Sequence, residues 1–168
     1  MADGSMMTTE FNPATDSRAF RDALGCFGTG VTLVTTMGAD GPMGFVANSF
    51  AGVSLSPPLV LWSPARSSNR FAQFSTARYY SIHILGQEQQ ALTERFGRNG
   101  PGFSDLPHDL SPEHSPLLAN PLARFDCEQH AAHDGGDHLI IVGRVLRATL
   151  RDGDPLLFVR GKMTGFGA

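Results

Sequence analysis

Residues 122–150 run LARFDCEQHAAHDGGDHLIIVGRVLRATL, and their reading decides the fold. Residues 122–130 and 137–150 carry strand-like runs, and Asp134-Gly-Gly136 between them supplies a turn whose glycines tolerate positive φ. This is a long antiparallel hairpin. Arg151-Asp-Gly-Asp154 then turns the chain into a last strand at 155–159. Upstream, 31–36 (VTLVTT) is β-branched, and Gly38-Ala-Asp-Gly-Pro42 turns it into a strand at 43–55 that Pro57-Pro58 ends. Residues 59–63 (LVLWS) form a buried strand and 79–85 another by alternation. Seven strands separated by turns predict a mainly β domain with short helices, closed or partly closed as an antiparallel barrel.

The helices expected are few and short. Asp16 is a plausible N-cap, and Phe20, Ala23, Leu24 and Phe27 share one face of a helix that Gly28 and Gly30 stop. A second lies at 70–76, capped by Ser67, Ser68 or Asn69, and a third at 88–96 with Leu92 and Phe96 at i, i+4. Residues 98–120, with four Pro and two Gly, read as an irregular surface loop, and 1–15 as a disordered tail before a domain at 16–168.

Composition narrows the function classes. The 168 residues, 41% hydrophobic, suit one domain, and the net charge of −3 gives no electrostatic reason to expect nucleic acid or a membrane surface as partner. The N-terminus has neither the basic start nor the apolar core of a secretion signal, and two cysteines are too few for a disulfide scaffold, so a cytoplasmic location is expected. The nineteen Gly and eleven Pro fit many turns between short elements. No Gly-x-Gly-x-x-Gly, Walker loop, Gly-x-Ser-x-Gly or His-Glu-x-x-His occurs, so doubly wound nucleotide folds and those hydrolase classes are unsupported.

Three stretches carry candidate chemistry. In Gly44-Phe-Val-Ala-Asn-Ser-Phe50 the polar pair Asn48-Ser49 sits among apolar residues; it either meets the polar edge of a planar heteroaromatic ligand or bonds backbone at a bulge or strand end. Residues 63–70 crowd Ser63, Arg66, Ser67, Ser68, Asn69 and Arg70 at a helix entrance, which suits a phosphate as well as it suits a capped surface helix. Asp137-His138 opens an apolar strand, where the histidine is either a site residue or a satisfied structural one. Cys127, His130 and His133 have zinc chemistry but the wrong strand parity, so no metal site is expected.

Taken in order, 30–36, 44–50, Val53-Ser-Leu-Ser-Pro-Pro-Leu-Val60, Tyr80-Ser-Ile-His-Ile-Leu85, Gly136-Asp-His138 with Gly143, and Pro155-Leu-Leu-Phe-Val-Arg-Gly161 resemble the short-chain flavin reductases, the reductase components of two-component flavin-dependent monooxygenases. The resemblance implies an FMN-binding split β-barrel working as a homodimer, with hydride passing from NADH or NADPH to FMN or FAD and reduced flavin diffusing to a partner monooxygenase. It places Gly44, Phe45, Val46, Asn48 and Ser49 along the isoalloxazine, and Ser63, Arg66, Ser67 and Ser68 on the ribityl phosphate. Arg95 is a further phosphate candidate, His138 the catalytic-site histidine beside flavin and nicotinamide, and Arg160 to Lys162 the border of that pocket. Val46, His83 and Lys162-Met163 depart from residues frequent in the family: threonine, asparagine and an aromatic. A non-catalytic flavin- or haem-binding split barrel, or an oxidase of the pyridoxamine-phosphate type, is the alternative. The unalternated run Leu139-Ile-Ile-Val142 independently supports a dimer, because such a strand needs cover on both faces.

Overall fold

The computed structural model describes residues 8–98, 100 and 102–166. The first seven residues of the expected tail lie outside that range; within 8–15, Asn12 closes a turn through its carbonyl to the amides of Thr15 and Asp16. Asp16 then caps α1 (Ser17–Leu24) by accepting from the Ala19 amide at 2.9 Å. The helix ends at Gly25 rather than at Gly28, and none of its residues is buried.

The strands follow as β1 (Thr29–Gly30), β2 (Thr32–Gly38), β3 (Gly41–Ala47), β4 (Ala51–Leu55), β5 (Pro58–Trp62) and β6 (Tyr79–Ile84), with α2 (Phe71–Thr76) between the last two. A 3-10 turn at Gln87–Gln89 and α3 (Ala91–Arg95) replace the single helix expected at 88–96. Then come β7 (Asp109–Leu110), β8 (Pro116–Leu117), β9 (Ala123–Gly135), β10 (His138–Leu150), β11 (Leu157–Val159) and β12 (Lys162–Thr164).

One antiparallel sheet of seven strands, ordered β3-β2-β6-β9-β10-β5-β4, dominates. Its membership differs from the seven strands expected. Residues 43–55 break into β3 and β4 at 48–50, and 155–159 leaves to build a small sheet, β1-β11-β12. The edges β3 and β4 are consecutive in the chain yet share no ladder among the described residues, so the barrel is split at that seam. The hairpin at 122–150 is longer than the sequence suggests: β9 continues through Gly135, leaving Gly136-Asp137 as a two-residue turn with Gly136 at φ +75°.

Alternation along β2 divides the core. Leu33 and Val34 are both fully buried and point to opposite faces. Val34 joins Trp62, Phe74, Tyr80, Ile82, Cys127 and Ile141, and Leu33 joins Val31, Leu85, Phe96, Phe103, Leu118 and Leu156. Because both faces are covered, the β2 threonines satisfy their hydroxyls on neighbouring carbonyls, Thr32 on Ala47 at 2.8 Å and Thr36 on Tyr79 at 2.9 Å. The stretch 98–120, expected as surface loop, delivers Phe103 and Leu118 to the second cluster and pairs β7 with β8.

Candidate functional site

The three stretches singled out in the sequence meet at residues 63–66. Ser63 donates its amide to Ser49 Oγ at 2.9 Å, and the same hydroxyl donates to the Ser63 carbonyl at 3.3 Å. Ser49 is thus a backbone staple that holds the break between β3 and β4. Two residues on, Leu139 donates its amide to the Pro64 carbonyl at 3.1 Å and Arg66 donates its own to the Asp137 carbonyl at 2.9 Å, around an isolated bridge between Ala65 and His138.

Arg66 adds its side chain to this seam. Its Nε donates to the Gly136 carbonyl at 3.0 Å and its Nη2 to Asp134 Oδ1 at 2.7 Å. A guanidinium carries five N–H groups, so three have no hydrogen bond among the described residues, on a side chain 41% exposed. Next to it, His138 Nδ1 lies 2.8 Å from Asp137 Oδ1. The hydrogen bond from His138 holds the Asp137 carboxyl below the usual carboxylate range. That bond orients the ring and leaves Nε2 without a hydrogen bond among the described residues.

Around these residues the loop departs from the expected cap. Arg70, not a serine, is the first residue of α2's boundary, and Ser68 Oγ accepts from the Arg70 amide at 3.2 Å. The Arg70 guanidinium crosses to the end of α3, bonding the Phe96 and Gly97 carbonyls at 2.7 and 2.8 Å. Ser67 is exposed and its hydroxyl makes no hydrogen bond among the described residues.

A groove of about 930 Å³ opens on the other side of Asn48, between α1 and the β11–β12 turn. Thr29, Asn48, Phe158, Arg160 and Gly161 form one wall, and Phe27 and Leu24, 79% and 60% exposed, lie on the other. Arg160 at φ +48° and Gly161 at φ +76° are the two central residues of a tight hairpin turn, which explains the Arg-Gly pair by geometry. The Arg160 amide donates to the Gly25 carbonyl at 2.7 Å, tying that turn to the end of α1. Thr29 Oγ1 is out of solvent with no partner among the described residues. An apolar-walled groove with an orphaned hydroxyl, an Asn48 amide that has no hydrogen bond among the described residues and a cation at Arg160 fits a planar heteroaromatic ring with polar edges.

The side chains of the remaining expected residues pack in the core, brace a loop or face solvent. Phe45 packs edge-on against Trp62 and Phe74, with ring centroids 5.6 Å apart in each case. Gly44 lies against the Phe96 ring and Leu33, while Val46 and Met163 pack on that same second cluster. Because β3 is an edge strand, what it offers a ligand is the backbone groups directed away from β2. Arg95 turns its Nε to the Gly102 carbonyl at 2.7 Å and its Nη2 to the Ser104 carbonyl, so its guanidinium braces the 102–104 loop and meets no other expected site residue. Lys162 is exposed at the start of β12. Among the described residues no three His, Cys, Asp or Glu side chains gather as a metal-binding set. The sequence gives no signal for Thr29, marks Phe27 only as part of a helix face, and marks Asp134 only as the start of the turn before His138.

Comparison with known proteins gives this geometry a context. The flavin reductase like domain family matches residues 24–167. An FMN reductase (NADH), SmoA of Agrobacterium fabrum, is 55% identical over 151 residues, 90% of this chain and 87% of that protein. The reductase subunit HsaB of a flavin-dependent monooxygenase from Rhodococcus jostii is 43% identical over 154 residues, 90% and 79% of the two chains. Among solved structures, the Streptomyces globisporus NADH:FAD oxidoreductase SgcE6 in complex with NAD and FAD fragments superposes with a TM-score of 0.87 at 32% identity, covering 95% of this chain and 98% of that one.

Proposed function

This chain belongs to the flavin reductase like domain family, and we propose on that premise that it is a reductase passing hydride from NADH to FMN or FAD and releasing reduced flavin to a partner monooxygenase component. The observation that carries this reading is the hydrogen-bonded run through 63–66, which joins Asn48-Ser49 to the Gly136-Asp-His138 turn and so sets a ring-binding stretch beside an oriented histidine. The flavin ring supplies N5 as hydride acceptor and the nicotinamide C4 as donor, so the protein's work is binding, orientation and electrostatics.

The residues divide that work. Asn48 and the outward backbone of Gly44, Phe45 and Val46 hold the polar edge of the ring, with Ser49 acting through the Ser63 backbone. Ser67, Ser68 and the three free N–H groups of Arg66 take the phosphate, where charge-assisted bonds are strongest. His138, oriented by Asp137, borders the meeting point of the two rings, and Arg160 and Lys162 close its far side. The relatives are reductases, which favours this reading over the storage or oxidase alternatives.

The working unit we propose is a homodimer in the cytoplasm. Its support is apolar surface that one chain leaves open: Phe20, Leu24 and Phe27 on and after α1, Val53 and Leu55 on β4, and half-buried Ile140 and Val142 on β10. No helix among the described residues is long and apolar enough to cross a membrane. The deciding assay mixes purified protein with each of the four pairs of FMN or FAD with NADH or NADPH and follows absorbance at the reduced-nicotinamide band. Flavin-dependent NADH oxidation is expected, and a rate no faster than flavin and NADH alone would sink the reductase reading.

A further inference from the structure

Residues 133–135 and 138–140 extend past the main sheet as a two-stranded ribbon. The partner strand β6 covers β9 only over 123–128, and β5 covers β10 only over 141–144. The ribbon tip is exposed from His133 through Asp137. A two-stranded ribbon is marginal by itself in water, so where its tip sits, and with it His138, depends on what straps it down.

The strap is the 64–66 segment. It gives two backbone bonds, from Leu139 to the Pro64 carbonyl and from Arg66 to the Asp137 carbonyl, and Arg66 adds two more from its guanidinium, to Gly136 and to Asp134. The side-chain bonds grip the end of β9 at Asp134 and the turn at Gly136, while the backbone bond from Leu139 holds β10, so the strap spans both strands of the ribbon. A planar fork makes this two-point grip, and a lysine ammonium cannot reproduce it. Arg66 is also in the loop that carries Ser67 and Ser68.

We propose that Arg66 is a positioning residue which couples the phosphate-binding loop to the His138 turn through Asp134 and Gly136, so that occupying the loop with flavin phosphate stiffens the nicotinamide side of the site. This rests on the reductase reading above and adds a role to Arg66 beyond holding phosphate. Asp134, which touches neither ligand in that reading, becomes a residue on which nicotinamide use depends.

The test separates the clamp from a simple phosphate contact by comparing Arg66→Lys, Arg66→Ala, Asp134→Ala and the double variant Arg66→Ala/Asp134→Ala. Asp134→Ala is expected to raise the KM for NADH by about 5-fold or more, the lower end of usual coupling between sites, with flavin affinity unchanged. Arg66→Lys should match Asp134→Ala on NADH, and the double variant should be no worse on NADH than Arg66→Ala alone, because both partners belong to one grip. Melting temperatures should move little, since the ion pair is exposed at 41% and 80% on its two sides. Amide exchange read by mass spectrometry on a peptide covering 130–140 gives a second readout that needs no activity: it should speed up in all four variants. Unchanged exchange in Asp134→Ala would overturn the clamp, and faster exchange with unchanged NADH KM would overturn its coupling to the site. An inactive wild-type protein would instead remove the reductase reading, while the exchange data still decided whether the clamp exists.

Discussion

Replacing Gly44 by alanine tests which side of β3 a ligand can use. Gly44 pairs with Thr35 in the β2–β3 ladder, and a Cβ built on it would enter the Phe96 ring, with Cε1 at 2.6 Å and Leu33 Cδ1 at 3.1 Å. Both neighbours are buried at 1% or less exposure, so neither can swing into solvent. Adding one methyl to such a packed point costs about 1–3 kcal/mol. A stiffer unfolded chain returns about 0.4–1 kcal/mol of that. The net destabilisation, about 1–2 kcal/mol, corresponds to a melting temperature lower by about 2–8 °C for a chain of this length. Differential scanning fluorimetry reads it, and a Phe96→Leu background should absorb part of the loss, because the smaller side chain vacates the ring edge. Flavin titration of the folded Gly44→Ala protein should change affinity by less than about twofold, or 0.4 kcal/mol. An unchanged melting temperature together with a tenfold weaker flavin would show that the Cα face of Gly44 looks at the ligand, and the packing account would be wrong.

Burial lowers the His83 pKa to about 4 against an ordinary 6.5, partly opposed by its bond to the Leu33 carbonyl, with Arg124 and Asp126 as the charged neighbours. The unfolded chain therefore takes up this proton first on acidification, and stability present above pH 6.5 is lost towards pH 4, by about 3 kcal/mol in all. Urea unfolding should show that extra slope in the wild type and not in His83→Asn; equal slopes would refute it. His138→Ala should lower kcat/KM for NADH by about 10-fold, or 1.4 kcal/mol, with the fold intact, and unchanged kinetics across pH 6 to 8 would remove the histidine from the site. Sedimentation at micromolar concentration should give twice the chain mass, and a monomer would refute cover of the α1 and β4 surfaces by a second copy.

Much of this was legible from residues close in sequence. The hairpin at 122–150 announces itself through its glycine pair and β-branched run, and Asp16 caps α1 as read. What failed depended on distant partners. Residues 43–55 read as one strand because nothing local shows that Ser49 will staple to Ser63, fourteen positions away. The Pro- and Gly-rich stretch at 98–120 hides two core residues, Phe103 and Leu118, since loop composition says nothing about where a side chain points. Strand β12 escaped notice because a three-residue strand has too few positions for alternation to register, although the Arg-Gly turn before it was a usable signal.

The same distinction separates the parts of the site. Ser63, Arg66, Ser67 and His138 were picked by residue type, and that choice needs only the chemistry of phosphates and imidazoles. That Arg66 reaches Gly136 across seventy positions follows from sheet topology: β5 lies beside β10, so the chain leaving β5 at Ser63 runs on along the strand that starts at His138. Asn48 and Ser49, adjacent and chemically alike, divide for a related reason. They occupy the seam between the two unpaired sheet edges, where one residue can bond back to the end of β5 while its neighbour faces the groove. On the proposed reading the split barrel places its ring-facing groups at the break in the ladder, where polar groups stand beside an apolar wall without a strand to satisfy them. On the proposed reading the same openness serves product release: a site whose Arg66 and His138 side chains are about two-fifths exposed holds its flavin at an accessible shelf rather than in a sealed cavity.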